Sequence, residues 1–367
     1  MKKILRFIKE EKSLILAAIT ALIILFFDKS IISNLGANKW LTLLKFLWFF
    51  LVIIIGAIGV VKHAETLAHK TGEPLGTLIL TLSAVSIEVI MISIIMLHTK
   101  NNPTMARDTI YATLMIILNA QIGLAMLFGG LKHGAQHYNF KSSRAFFSMI
   151  ITIAGIAFFL PMVIHHESLY AYRVFLIFPI ALLYLIFLHI QTKEHRYFFT
   201  FESKKSILPS FVKKEPVFKG MPYHMILLFL LLLSIAYVGE KIAVIIDYGV
   251  DVLNLPVELA SLVVAILILS PEALTAILAG TKDHMQRVMN ISLGSALSTM
   301  SLTIPAIIII SIIASKPVIL ALTLVQAVLL GVTMLVSMNS YGSGETTSLS
   351  GAVQLVLFIT FIVLLFV

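Results

Sequence analysis

Two carboxylates, Glu88 and Glu272, stand inside apolar stretches long enough to cross a bilayer. Each closes a Ser-x-Glu triplet, Ser86-Ile87-Glu88 and Ser270-Pro271-Glu272. A charged side chain at the centre of a membrane helix costs at least ~2.5–3.5 kcal/mol on insertion scales, so such a residue reads as functional. One in each half of the chain points to a two-carboxylate cation site.

Hard cations such as Ca²⁺ take several oxygen ligands from carboxylates, hydroxyls, amide carbonyls and water. Two glutamates neutralise one Ca²⁺. Without the cation, burial and mutual repulsion favour the protonated forms of such a pair. Occupancy by cation or by protons, one excluding the other, is the physical basis of antiport. Glu88 and Glu272 are therefore the candidate cation, metal and proton ligands. Ser86, Ser270, Asn290, Ser295 and Thr299 are candidate lining groups. Pro271 removes a backbone N–H and frees a carbonyl one turn earlier, at Leu267, and freed carbonyls can coordinate cations where the backbone lines a cavity. The bland alternative makes each glutamate a protonated hydrogen-bonding group between packed helices.

The helices after each glutamate are unusually polar. Residues 287–305 carry Asn290, Ser292, Ser295, Ser298, Thr299, Ser301 and Thr303, and residues 107–121 carry Thr109, Tyr111, Thr113, Asn119 and Gln121. Small and hydroxyl residues let membrane helices pack closely, which accounts for most of these positions.

Composition sets the elements that must position these groups. Hydrophobic residues make up 59% of the 367-residue chain and charged residues 12%, with a mean hydropathy of +1.02. Soluble domains carry about 25% charged residues, so this exterior must face lipid. Runs of roughly 17–25 apolar residues predict eleven helices near 13–28, 41–61, 75–97, 107–130, 145–164, 170–191, 222–246, 256–279, 287–313, 317–338 and 350–366. The first follows a charged stretch, MKKILRFIKEEKS, but no small-residue cleavage pattern ends it, so it reads as a retained span. With no cysteine there are no disulfides and no thiolate chemistry.

Topology follows from the basic residues. With the N-terminus cytoplasmic, nineteen of the 27 Lys and Arg fall on inner segments, as the positive-inside rule requires. The C-terminus is then outside. The net charge of +9 reflects these loops and not a nucleic-acid partner. The expected localisation is a bacterial inner (plasma) membrane, multi-pass.

Glu88 falls on the third span and Glu272 on the eighth. An offset of five spans makes the two helices cross in opposite directions. The expected fold class is thus all-α: a polytopic membrane protein with one extra helix and an inverted five-plus-five repeat. Residues 1–40 hold the extra helix, 41–191 the first repeat, 192–221 a basic cytoplasmic linker and 222–367 the second repeat. Thr77 and Ser261 each stand eleven residues before a glutamate, three turns along the same face. Glu73 and Glu258 mark the helix starts, and Arg107 and Arg287 open the next helices. Inverted repeats place a shared site near the bilayer midplane.

The strings HAETLAHKTGEPLGTLILTLSAVSIEV (63–89), ARDTIY (106–111), LIFLHIQTKEH (185–195) and AILILSPEALTAI (265–277) resemble ChaA-type calcium/proton antiporters of the calcium/cation antiporter superfamily. The resemblance covers nearly the whole chain. It implies eleven spans, the inverted repeat, and one glutamate per repeat shared by cation and protons, which by motif are Glu88 and Glu272. It implies Ca²⁺ as the transported ion, with Na⁺ or K⁺ exchange also attributed to this branch. The chain departs from the superfamily in three places. Ala84-Val85 and Ile268-Leu269 replace the Gly-Asn that precedes each glutamate. Lys204, Lys205, Lys213 and Lys214 make basic a loop that is acidic in some relatives. Gly344-Glu345-Thr346-Thr347 replaces Gly-Arg-Thr-Asn.

Other features carry less. His133 and His137 in HGAQH have a metal-like spacing but lack the glutamate of a zinc protease motif, and read as a solvated loop end. His165-His166 sits between spans, at the membrane interface. Lys62, His63, Glu65 and His69 read as an ordinary charged helix end, with a cytoplasmic ion-attracting rim as the alternative. No phosphate-loop pattern is present, so an ion gradient supplies the drive and no cofactor is expected. An intramembrane enzyme using the two glutamates as acid and base is a second class of reading. No HExxH and no Asp-rich diphosphate motif accompanies them, so the chain reads as a non-enzyme. A channel is a third. Lipid-facing Gly, Ala and Ser would permit a dimer or trimer.

Overall fold

A computed structural model describes residues 10–33, 39–71, 75–98, 103–191, 220–253 and 256–366. Eleven helices follow the predicted order: α1 Lys12–Ser33, α2 Lys39–Thr71, α3 Leu75–His98, α4 Met105–His133, α5 Phe140–Met162, α6 Leu169–His189, α7 Met221–Leu253, α8 Val257–Gly280, α9 Met285–Ile313, α10 Leu324–Tyr341 and α11 Ser348–Leu364. Among the described residues, eight (α2, α4–α10) are long and apolar enough to cross a membrane, while α1, α3 and α11 hold shorter apolar stretches. The basic linker falls outside the described residues over 192–219, as does Glu73.

The described chain forms two compact units that interleave the predicted repeats: residues 1–102 with 208–260, and residues 103–207 with 261–367. In the first, α1, α2, α3 and α7 pack together. Glycines set the spacing there, since a Cβ on Gly59 would meet Ser13 Oγ at 2.4 Å. In the second, α4 is the innermost helix, with every residue from Met105 to Gln121 buried. It packs on α11 and α9, while α5 packs on α9 and α10. Lipid-type side chains cover the outside of that unit: Phe178, Leu335 and Leu349 are about 70% exposed. An apolar exterior of this kind suits a bilayer and not water.

Local chemistry explains the helix ends. Gly134, at φ +75°, ends α4 in a conformation that costs glycine nothing. Asn139 caps α5 by accepting from the Lys141 N–H. Thr323 and Gln326 form a reciprocal capping box at α10. That box corrects the sequence reading, which started the tenth span at 317.

Residues 316–323 are not helical; they run to the box with their backbone groups bonded to other elements. Ile319 N–H donates to the Pro103 carbonyl (2.8 Å), Arg107 to the Ala321 carbonyl (2.5 Å), and Arg173 to the Val318 carbonyl. Apolar composition alone could not separate this segment from helix. At the other end of the same unit, a two-residue antiparallel ladder joins β1 (Gln136–His137) to β2 (Glu345–Thr346). Nothing along the chain marks it in advance, because two residues carry no periodicity.

Candidate functional site

Glu88 lies on α3 in the first unit and is 3% exposed. Glu272 lies on α8 in the second. Helix α8 runs unbroken through Pro271. Proline cannot donate, so the Leu267 carbonyl has no partner at the usual position one turn on.

The two serines of the Ser-x-Glu triplets behave alike. Ser86 Oγ donates to the Leu82 carbonyl at 2.6 Å, and Ser270 Oγ donates to the Ile266 carbonyl. Each spends its hydrogen on its own helix, a common fate of a mid-helix serine. Their oxygens keep lone pairs that can accept a hydrogen bond or face a cation, but they do not donate to the glutamates. Ser261, three turns before Glu272, is fully buried and donates to Met105 Sδ at 3.3 Å. It packs α8 against α4.

Ser295 is a predicted lining residue that the structure brings to a glutamate. Its hydroxyl hydrogen-bonds the Glu272 carboxyl from α9. The Glu272 Oε2 atom is buried and has no hydrogen-bond partner among the described residues. A buried carboxylate oxygen without a donor is costly, and a proton or a cation would relieve it.

Asn290 accepts from Gln286 Nε2 at 2.8 Å. Gln286 also donates to Ser142 and accepts from the Asn139 N–H. That network ties α9 to the start of α5 and reads as packing. Thr299 is 2% exposed and opens a π-helical turn, Thr299–Thr303.

A second π-helical turn, Ile116–Gln121, interrupts α4. Such turns shift backbone hydrogen bonds and recur at functional sites. Another, Gly155–Phe159, lies in α5, but the turns of α4 and α9 occur in the helices that follow the glutamate helices. They hold buried polar side chains: Asn119 donates to Thr333 (3.2 Å), Gln121 donates to Ser292 (2.8 Å), and Ser301 and Thr303 have no partner among the described residues. Sequence reasoning named these residues but missed Thr333, Ser337 and Gln354 on α10 and α11. Gln354 donates to Ser337 at 3.2 Å and both are fully buried. A glutamine in the middle of an apolar run was the available signal.

Three secondary features resolve differently. His133 and His137 are exposed, and Gly134 ends the helix between them, so HGAQH is a solvated loop end. Among the described residues, no group of three or more His, Cys, Asp or Glu is gathered to hold a metal. Glu345 is exposed on β2 opposite His137. His63 overturns its reading as an ordinary charged helix end: it is fully buried and meets Glu11 and His224.

Eleven helices among the described residues, eight of them long and apolar enough to cross a membrane, and a buried carboxylate contact fit a multi-pass membrane transporter. The fold is shared with native YfkE (TM-score 0.73, 18% identity, covering 96% of this chain and 99% of that one). A second structure of that protein is described as a Ca²⁺/H⁺ antiporter. It is also shared with the H⁺/Ca²⁺ exchanger CAX (TM-score 0.66, 16% identity, covering 97% and 89%). Residues 41–193 match the sodium/calcium exchanger protein family. The chain is 33% identical over 321 residues, 86% of each chain, to the sodium-potassium/proton antiporter ChaA of Escherichia coli strain K12. The chain belongs to the sodium/calcium exchanger family, as a ChaA-type cation antiporter.

Proposed function

We propose that the protein exports Ca²⁺ in exchange for protons by alternating access, with Glu88 and Glu272 as the groups for which cation and protons compete. The observation that carries this reading is the Glu272 carboxyl. It is held by Ser295 on one side and has a buried oxygen with no donor on the other. Ca²⁺ binds such an oxygen when other oxygens complete its shell, and protons satisfy it when the cation leaves.

The eleven helices act as eleven crossings, N-terminus in and C-terminus out, in a bacterial plasma membrane. Contacts inside the second unit support this alternation. The turns after α4 and α10 pair through β1 and β2, and Gln136 after α4 also donates to the Gly280 carbonyl at the end of α8 (3.0 Å). Helices α4, α8 and α10 therefore finish at one face. Pro103 and Ile319, before α4 and α10, meet at the other. The matching π-helical turns of α4 and α9 support the inverted repeat.

Exchange of Na⁺ or K⁺ for protons is the second reading, favoured by the description of the Escherichia coli relative as a sodium-potassium/proton antiporter. The experiment that separates them uses the purified chain in liposomes with an acid lumen and a pH-sensitive dye. Ca²⁺, Na⁺, K⁺ and Mg²⁺ are added singly to wild type and to Glu272→Gln. Collapse of the gradient by Ca²⁺ in wild type alone supports the Ca²⁺ reading. Collapse only by Na⁺ or K⁺ keeps the mechanism and replaces the substrate. Substantial exchange by a Glu88→Gln/Glu272→Gln double variant would sink the site assignment.

A further inference from the structure

A chain of buried titratable groups lies in the first unit, on residues the antiport reading does not use. Glu11 Oε2 is 3.2 Å from His63 Nε2, and His63 Nδ1 is 3.0 Å from His224 Nδ1. The three side chains are at most 1% exposed. They come from three places in the sequence: the residue before α1, the C-terminal half of α2, and the first turn of α7. Other polar groups face the same cluster. Tyr223 donates to Glu11 Oε1 at 2.8 Å, and Lys62 Nζ stands 3.8 Å from Glu11 Oε2 while donating to the Glu10 carbonyl. Helix α3 also packs on α2 and α7, and its titratable residues are Glu88 and His98.

We propose that Glu11, His63 and His224 form a proton-binding site of their own, in which one proton held between two imidazoles fastens the amino-terminal segment, α2 and α7 together, and a second proton drives them apart. The argument is an inventory of donors. A hydrogen bond between two Nδ1 atoms needs one N–H and one lone pair. With both rings neutral, His63 carries its hydrogen on Nε2, 3.2 Å from Glu11 Oε2, and its Nδ1 lone pair accepts from His224 Nδ1–H. One added proton makes His63 an imidazolium. Its charge then lies 3.2 Å from the Glu11 carboxylate at Nε2, and its Nδ1 donates to His224, whose own hydrogen moves to Nε2. The contact survives and Glu11 balances the charge. After a second proton both Nδ1 atoms carry hydrogens, and no lone pair is left between them at 3.0 Å. The rings are tilted by 50° with centroids 5.3 Å apart, so they meet edge to edge through these nitrogens and not by stacking.

Glu11 is suited to the balancing role. Burial raises its affinity for a proton, but hydrogen bonds with His63 and Tyr223 and the charges of Lys62 and His63 outweigh that and hold the carboxyl well below its usual range. It therefore stays charged beside the two rings. The site has no need of the Glu88–Glu272 pair, so its test is run without any transported cation.

The chain has no cysteine, which allows two spin labels to be placed at lipid-facing positions, Ile58→Cys on α2 and Met225→Cys on α7, both about half exposed. The α2–α7 distance is read in the full chain, in liposomes with chelator, at about pH 8 and about pH 5, the span over which imidazoles titrate. A longer or broader distance distribution at the acid end, lost in His224→Gln, is the expected result. An unchanged distance, or the same response in His224→Gln, overturns the proposal. If that variant fails to fold, ¹⁵N-histidine labelling of wild type reads the same bond directly. Scalar coupling between the two Nδ1 atoms is expected at about pH 8 and gone at about pH 5; its absence at the first or persistence at the second overturns the proposal.

Discussion

The Arg107 guanidinium joins Asp108 on its own helix to the Ala321 carbonyl in the non-helical segment before α10, 214 residues away. It is 6% exposed, and it meets Asp108 Oδ1 at 2.9 Å through Nε and 2.7 Å through Nη2. One side chain therefore satisfies both a buried acid and a backbone carbonyl that no helix could satisfy. Gln326 adds a further hydrogen bond to Asp108 at 2.9 Å.

Replacing Arg107 by Gln should lower the thermal midpoint of the purified protein sharply. Removing one partner of a buried ion pair costs about 3–5 kcal/mol. Arg107→Lys should recover only part of this, since an ammonium lacks the planar fork of donors. A melt equal to wild type for Arg107→Gln would show that the segment holds itself.

Ser295 and Ser270 make a paired test of which hydroxyl serves the carboxylate. Ser295→Ala removes a hydrogen bond to Glu272, worth about 1–3 kcal/mol when one partner is a charged group. A change of roughly five-fold or more in the cation concentration for half-maximal exchange is expected. Ser270→Ala removes only a bond to its own helix, and its stability should stay within about 0.5 kcal/mol of wild type. The dye assay in liposomes, with melting curves alongside, checks both; equal effects on exchange would contradict the geometry.

Close packing between α11 and α4 depends on Gly351. A Cβ there would lie 2.4 Å from the Leu127 nitrogen and 2.6 Å from the Gly123 carbonyl oxygen. Both are backbone atoms that cannot swing aside, so Gly351→Ala should cost about 1–3 kcal/mol. Gly331→Ala on α10 meets nothing within 4 Å and should be neutral or stabilising by up to about 1 kcal/mol through helix propensity. Melting midpoints that fall in the same order for both would refute the packing argument.

Tyr138, between α4 and α5, predicts an alkaline transition. Burial pushes its phenol up to about 12, against smaller opposing hydrogen bonds with Ser343 and Gly344. A raised folded value means the neutral form is favoured by folding. Its contribution is complete below the ordinary tyrosine value of about 10 and is lost as pH rises through about 12. Melts recorded across that window should steepen in wild type and flatten in Tyr138→Phe, which should melt lower at neutral pH because it loses the bond to the Ser340 carbonyl.

Much of the architecture was legible because lipid imposes a simple rule: a helix must be apolar for about 20 residues. The glutamates and the starts of α3, α8 and α9 fell where apolarity and spacing placed them. The start of α10 did not, because Pro317 to Leu322 are as apolar as a helix while their backbone bonds go to Arg107, Arg173 and Pro103.

The sequence by itself determined the class, the order of the eleven helices and the presence of one glutamate inside each of two apolar helices, since each follows from composition or spacing within one segment. Tertiary structure alone decided which hydroxyl serves a carboxylate. Ser86 and Ser270, next to the glutamates in sequence, turn to their own helices, while Ser295 reaches Glu272 from another. It also decided that His63 is no surface residue. Its partners are 52 and 161 residues away, and no pattern along one helix can reveal contacts whose halves meet only when three segments pack.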